Sequence, residues 1–196
     1  MWALVRRSIG AGAVAAATML AAACGGSTEG TATAADAASE SSSPSSAMIA
    51  GQEGSDLGGD IDLDVEIGDC VRVGGSTDDA TIDEAACGSV ESNYKVVAKG
   101  MESEQCPSDV NQIIYSESRW GSELGVLCLD VDWVLGGCMS LDGEDPQRVE
   151  CDDPDALGME RVTEILEGVA DADLCPDGGF VYDEREFTVC AETVRA

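Results

Sequence analysis

The stretch "LCLDVDWVLGGCM", Leu127–Met139, decides how the chain is built, because it holds the end of one pattern and the start of the same pattern again. Its first half sets Cys128 inside an apolar, strand-like run, and its second half turns at Gly136 and Gly137 to reach Cys138. Working outward, "GDCV" (Gly68–Val71) answers "GGCM" (Gly136–Met139), and "NYKVVAKG" (Asn93–Gly100) answers "RVTEILEG" (Arg161–Gly168). "QCPSD" (Gln105–Asp109) answers "LCPDG" (Leu174–Gly178), and "VLCLDV" (Val126–Val131) answers "TVCAETV" (Thr188–Val194). The reading is two diverged copies of a four-cysteine unit of about 60 residues, one over about 60–133 and the other over about 134–196. Cysteine separations of 17, 19 and 22 in the first copy and 13, 24 and 15 in the second place the insertions in loops.

The repeat also bears on secondary structure. "MERVTEILEGVA", Met159–Ala170, puts Met159, Val162, Leu166 and Val169 on one face of a helix, with Asp153 as cap and Pro154 in the first turn. Its counterpart Asn93–Gly100 is short, β-branched and aromatic, which favours a strand. A mainly β, disulfide-rich domain is expected, with α+β as the alternative. Further strands are expected at Gly125–Leu135, at Phe187–Val194 and at Ile61–Ile67, where "IDLDVEI" alternates apolar and acidic residues.

Eight cysteines lie in the folded region: Cys70, Cys87, Cys106, Cys128, Cys138, Cys151, Cys175 and Cys190. The closest two, Cys128 and Cys138, are ten residues apart, and no C-x-x-C brings two sulfurs onto one turn as a metal knuckle or thiol-exchange site requires. Structural bridges are expected, and they would supply stability that a lean core lacks. Eight cysteines allow 105 connectivities, nine if each copy closes on itself.

The ninth cysteine, Cys24, follows "MWALVRRSIGAGAVAAATMLAAA". Two arginines and the uncharged run Ile9–Ala23 have the layout of a signal peptide over residues 1–23. Those 15 residues rise only about 22 Å as a helix, short of a bilayer core of about 30 Å. Small residues before Cys24 and Gly25–Gly26 after it point to lipidation of Cys24 as the first mature residue, although Leu20 stands four positions before the cysteine rather than three. Ordinary cleavage after Ala21–Ala23 is the alternative, leaving a thiol that would pair between molecules in an oxidising compartment. Residues 24–59, rich in Gly, Ala, Ser and Thr, read as a flexible, lipid-anchored linker, and residues 60–196 as the domain.

A formal net charge of -29 repels phosphate backbones and argues against a nucleic-acid partner. It reads first as a solvated surface and second as a field that draws cationic partners. With no histidine, the chain lacks the common general base and the usual nucleophile–histidine arrangements. No full calcium loop occurs, no phosphate-cradling glycine loop follows a strand, and no cofactor, metal or catalytic residue is nominated. Trp120 and Trp133 read as core or half-exposed packing residues.

The segments "EIGDCVRVGG", "ACGSVESNYKVVAKG", "QCPSD" and "LCLDVDWVLGGCM", covering about Glu66–Cys138, together with the lipidation-like start, resemble the LppU family of actinobacterial, mycobacterial-type lipoproteins. That resemblance implies an exported, lipid-anchored envelope protein and brings no catalytic residue with it. The expected role is therefore non-enzymatic binding or structure at the outer face of the cell membrane, with an envelope protein or cell-surface component as partner. The alternative is an envelope-acting enzyme or enzyme accessory. It would need a concave site pairing a carboxylic acid of raised pKa with an ionised carboxylate beside Trp120 or Trp133.

Overall fold

The computed structural model describes residues 47–76 and 79–195. The segment expected to be a signal peptide, Cys24 and the first part of the expected linker lie outside the described residues. No helix among the described residues is long and apolar enough to cross a membrane.

The first copy contributes β1 (Cys70–Ser76), β2 (Asp79–Ala85), β3 (Tyr94–Gly100), β4 (Gln112–Glu117) and β5 (Glu123–Val131). The second contributes β6 (Cys138–Ser140), β7 (Gln147–Val149), β8 (Met159–Glu167), β9 (Gly179–Tyr182) and β10 (Phe187–Thr193). Each set forms one five-stranded antiparallel sheet, in the orders β2-β1-β3-β5-β4 and β7-β6-β8-β10-β9. The second order is the first with every strand advanced by five. Met159–Glu167 is thus a strand, as its counterpart demands, and the helical spacing of its apolar residues is overridden by ladder pairing on β10.

The duplication holds residue by residue. Cys70 pairs across the ladder with Lys95, and Cys138 with Arg161. Cys128 faces Ala98 and Cys190 faces Glu164, and in both copies the preceding β3 or β8 residue, Val97 or Thr163, is bulged out of register. Gly68 N–H donates to Val96 O as Gly136 N–H donates to Val162 O, both at 2.8 Å. The glycines take φ of 99° and 77°, a left-handed turn that side chains resist, so the Gly of each Gly-x-Cys is fixed by backbone geometry.

Four disulfides close neighbours in sequence: Cys70–Cys87, Cys106–Cys128, Cys138–Cys151 and Cys175–Cys190. Each copy ties its first strand to the loop after its second, and its fifth strand to a 3-10 turn, Ser103–Gln105 or Ala172–Leu174, before its fourth.

One core joins the sheets. Val71, Val96, Leu127 and Leu129 of the first copy share it with Met139, Val162, Phe187 and Val189 of the second. Each such fully buried side chain contributes about 1.5–3 kcal/mol. Two segments depart from the sequence reading. Residues 61–67 keep their alternation, with Val65 buried and Asp62, Asp64 and Glu66 exposed, but they form no strand because no ladder runs beside them. Leu63 N–H turns back onto Ile61 O at 2.7 Å.

Residues 47–59, placed by composition in the linker, are packed against the domain. Ile49 and Gln52 are buried, and Gly54–Leu57 lies along β3 where β1 leaves off. There Gly54 N–H donates to Val97 O, Lys99 N–H to Ser55 O, and Leu57 N–H to Lys99 O, with Asp56 and Lys99 bridged in parallel. A side chain at Gly54 would strike the Ala98 methyl at 2.8 Å, so only a residue without Cβ lets the segment sit this close.

Candidate functional site

In the strand β5, Leu127, Leu129 and Val131 face the shared core, so Asp130 and, just beyond it, Asp132 alternate to the other side. That side is not open to water. Both aspartates are fully buried, Asp130 against Gln52 and Arg185 and Asp132 against Arg148, the two arginines coming from the second copy.

Arg185, in the turn between β9 and β10, reaches across to the first copy. Its Nη1 and Nη2 donate to the two Asp130 oxygens at 2.7 and 2.9 Å, and its Nε donates to Asp109 at 2.7 Å. The two remaining N–H groups meet the carbonyls of Gln52 and Asp109, so all five donors of the guanidinium are used. The group lies over the rings of Tyr182 and Phe187, 5.2 and 5.3 Å from their centroids. Around it the first copy's "CPSD" turn holds the hairpin: Ser108 donates its N–H and Oγ to Glu184, and Asp109 accepts from the N–H groups of Glu184 and Arg185. Burial pushes the Asp130 carboxyl up, against the downward pull of Arg185 and Gln52. The Ser108 bonds hold the Glu184 carboxyl below its ordinary value.

Arg148 of β7 makes the second lock. It donates to Asp132 through Nη2 and to Ser89 O through Nε, while Gly88 N–H and Ser92 Oγ also donate to Asp132 at 2.7 and 2.6 Å. Lys95 Nζ lies 4.0 Å from Asp132 and donates to Ala47 O, and burial lowers its pKa. The register-equivalent charges of the second copy, Arg161 and Glu192, pair instead at the partly exposed surface.

Trp133 is buried, stacked on Phe180 at 4.8 Å, and donates its Nε1 proton to Tyr182 Oη at 2.8 Å. It is a core residue, as expected. Trp120 is neither core nor half-exposed: it stands 85% exposed at the tip of the β4–β5 hairpin. The turn closes on itself, with Ser118 N–H bonded to Ser122 O at 2.8 Å and Gly121 at φ 77°, and it gives the indole nothing to fold against. In the second copy the same hairpin carries Arg185 into its neighbour; in the first it presents Arg119 and Trp120 outward.

The hollows on the described surface include the following pair. One, of about 400 Å³, is lined by Ser140, Asp142, Asp153, Asp155 and Leu157 among others. The second, of about 180 Å³, lies between residues 47–49 and the Trp133–Leu135 and Ile165–Glu167 segments. The first contains no tryptophan, and the second sets Trp133 beside a single carboxylate, Glu167, which accepts from Ala50 N–H. Cys70, Cys87 and Asp132 cluster within ligand distance of one another, but both sulfurs are spent in their bridge. Compared with known proteins, the chain matches no family model, no curated protein and no solved structure.

Proposed function

We propose that this is a lipid-anchored envelope protein whose bridged double-sheet head serves as a non-enzymatic binding module outside the cell membrane. The observation that carries the binding role is Trp120: a large apolar side chain held in water on a hairpin whose second strand carries a bridge is the kind of anchor that interfaces bury. Four disulfides favour an oxidising compartment, and the resemblance to LppU-family lipoproteins points to the same address. Lipid on Cys24 would supply the tether. The buried carboxylates are committed to arginines from the other copy, which leaves them stabilising the head rather than turning over a substrate.

The test is site-specific photo-crosslinking on intact cells, with the crosslinker at position 120 and, as control, at the exposed position 152. One or a few discrete adducts from position 120 alone are expected, and they should be lost when Cys24→Ser releases the protein from the membrane fraction. Equal adducts from both positions, or none, would overturn the binding role.

A further inference from the structure

The two copies match in strand order, in bridges and in the bulge at Val97 and Thr163, yet they differ in what lies along the outer half of the third strand. In the first copy β3 has residues 54–57 beside it, held by three backbone hydrogen bonds at Val97 and Lys99. The equivalents on β8 follow from the register: Leu127 and Val189 each precede the strand cysteine, and they pair with Lys99 and Ile165 respectively. Val97 likewise corresponds to the bulged Thr163. Among the described residues β6 pairs with β8 only at Met159–Arg161, and no backbone group meets Thr163 O, Ile165 N–H or Ile165 O from the side away from β10.

The smaller hollow lies at this place. Ile165 and Glu167 of β8 line it together with Val134, Leu135, Met48 and Ile49, and Leu135 is 63% exposed. The chain around the gap is acidic: Glu160, Glu164 and Glu167 lie on β8, and its one arginine, Arg161, is already paired with Glu192.

We infer that the open side of β8 at Thr163–Glu167 is a docking groove for one extended, cationic segment of a partner protein, added parallel to β8 as residues 54–57 are added to β3. The copy next door shows both the geometry of the occupant and its requirement for a small residue at the close approach. Charge chooses the source. A second copy of this chain would bring another net -29 to an acidic edge, whereas lysines or arginines flanking a short apolar strand would be drawn to it. The inference takes the binding role as given and assigns it a second face, independent of Trp120.

The probe is a lysine-substituted copy of residues 53–58, Lys-Gly-Ser-Lys-Leu-Gly with blocked ends, added to the full mature chain while backbone amides are followed by NMR. The expected result is saturable binding at or below about 1 mM, with hydrogen exchange at Ile165 N–H slowing on binding. The same peptide N-methylated at its leucine, which cannot make the bond that Leu57 makes, should bind about tenfold more weakly. Glu164→Lys should weaken binding severalfold without changing the thermal midpoint. An Ile165 N–H already protected in the free chain would mean that the protein's own residues or a second copy fill the groove, and would overturn the inference. So would absence of binding, indifference to N-methylation, or shifts confined to another face. Crosslinking from position 120 is unaffected by any of these outcomes, so failure here leaves the binding role standing.

Discussion

Arg185→Met removes the lock between the copies while keeping an unbranched side chain of similar length. Arg185 and its partners Asp109 and Asp130 are all nearly inaccessible, and the five N–H bonds vanish together. What remains is Asp130, fully buried, accepting from the uncharged Gln52 Nε2 at 3.0 Å, attracted by the Lys95 ammonium and repelled by the Asp109 carboxylate. Breaking a buried pair by deleting one partner costs about 3–5 kcal/mol, a large share of the about 5–15 kcal/mol by which a domain is stable. Urea unfolding with the bridges intact should show this as a lower midpoint at unchanged slope. Asp130 already titrates above its ordinary value because of burial, and loss of Arg185 raises it further. A carboxyl whose folded pKa exceeds its unfolded one contributes stability below the unfolded pKa and loses it as pH rises through the folded pKa. The deficit of the variant should therefore shrink as pH falls from about 7 towards 5. Adding Asp130→Asn to Arg185→Met should recover at least half of the loss at neutral pH. A cost under about 1 kcal/mol, or a deficit that grows on acidification, would refute the argument that this cluster joins the copies.

Glu192→Gln, at the position equivalent to Asp130, should cost under about 1 kcal/mol, because its pair with Arg161 is partly exposed; a loss as large as that of Asp130→Asn would show that exposure does not separate the two sites. Replacing Cys106 and Cys128 by alanine together should cost about 3 kcal/mol for a loop of 22 residues, measured by calorimetry, while peptide mapping of the unreduced wild type returns four neighbour bridges. Tyr94 and Tyr182 are held protonated by burial, so the unfolded chain ionises them at lower pH than the folded one; stability should be intact below about pH 10 and fall above it, with their absorbance change accompanying loss of near-ultraviolet circular dichroism. Trp120→Ala should leave stability within about 0.5 kcal/mol, and a larger loss would mean that the indole packs against the domain.

The duplication was legible because cysteine, glycine and proline mark positions that backbone geometry fixes, and such positions tolerate little drift around the bridges. The pairing was not, since nine self-contained schemes fit the spacing equally and only proximity in the folded sheets selects one. "LCLDVDW" lies in the stretch Gly125–Leu135 that reads as a strand. Period-two alternation reports which face a side chain takes and says nothing about what covers that face, here Arg185 and Arg148 from distant sequence. For the same reason "IDLDVEI" had the facing of a strand without a ladder. Ile49 and Gln52 were hidden in a polar stretch whose composition argues for a linker, because two buried residues barely move an average. Trp120 was misread through a preference of its residue type for interiors, which a self-closed turn defeats.

The bridges never nest or cross, and this bears on how an exported chain would oxidise. Along residues 60–196 each first cysteine meets its native partner as the very next cysteine, from Cys70 and Cys87 through Cys175 and Cys190. A chain emerging from a translocation pore with its N-terminus leading would therefore reach the correct set by pairing thiols in order of arrival, with no reshuffling. A free thiol at Cys24 would arrive first and set that order off by one, trapping Cys70, mispairing the cysteines from Cys87 to Cys175 and leaving Cys190 over. Acylating Cys24 would thus do more than tether the head: it would take the odd thiol out of the queue.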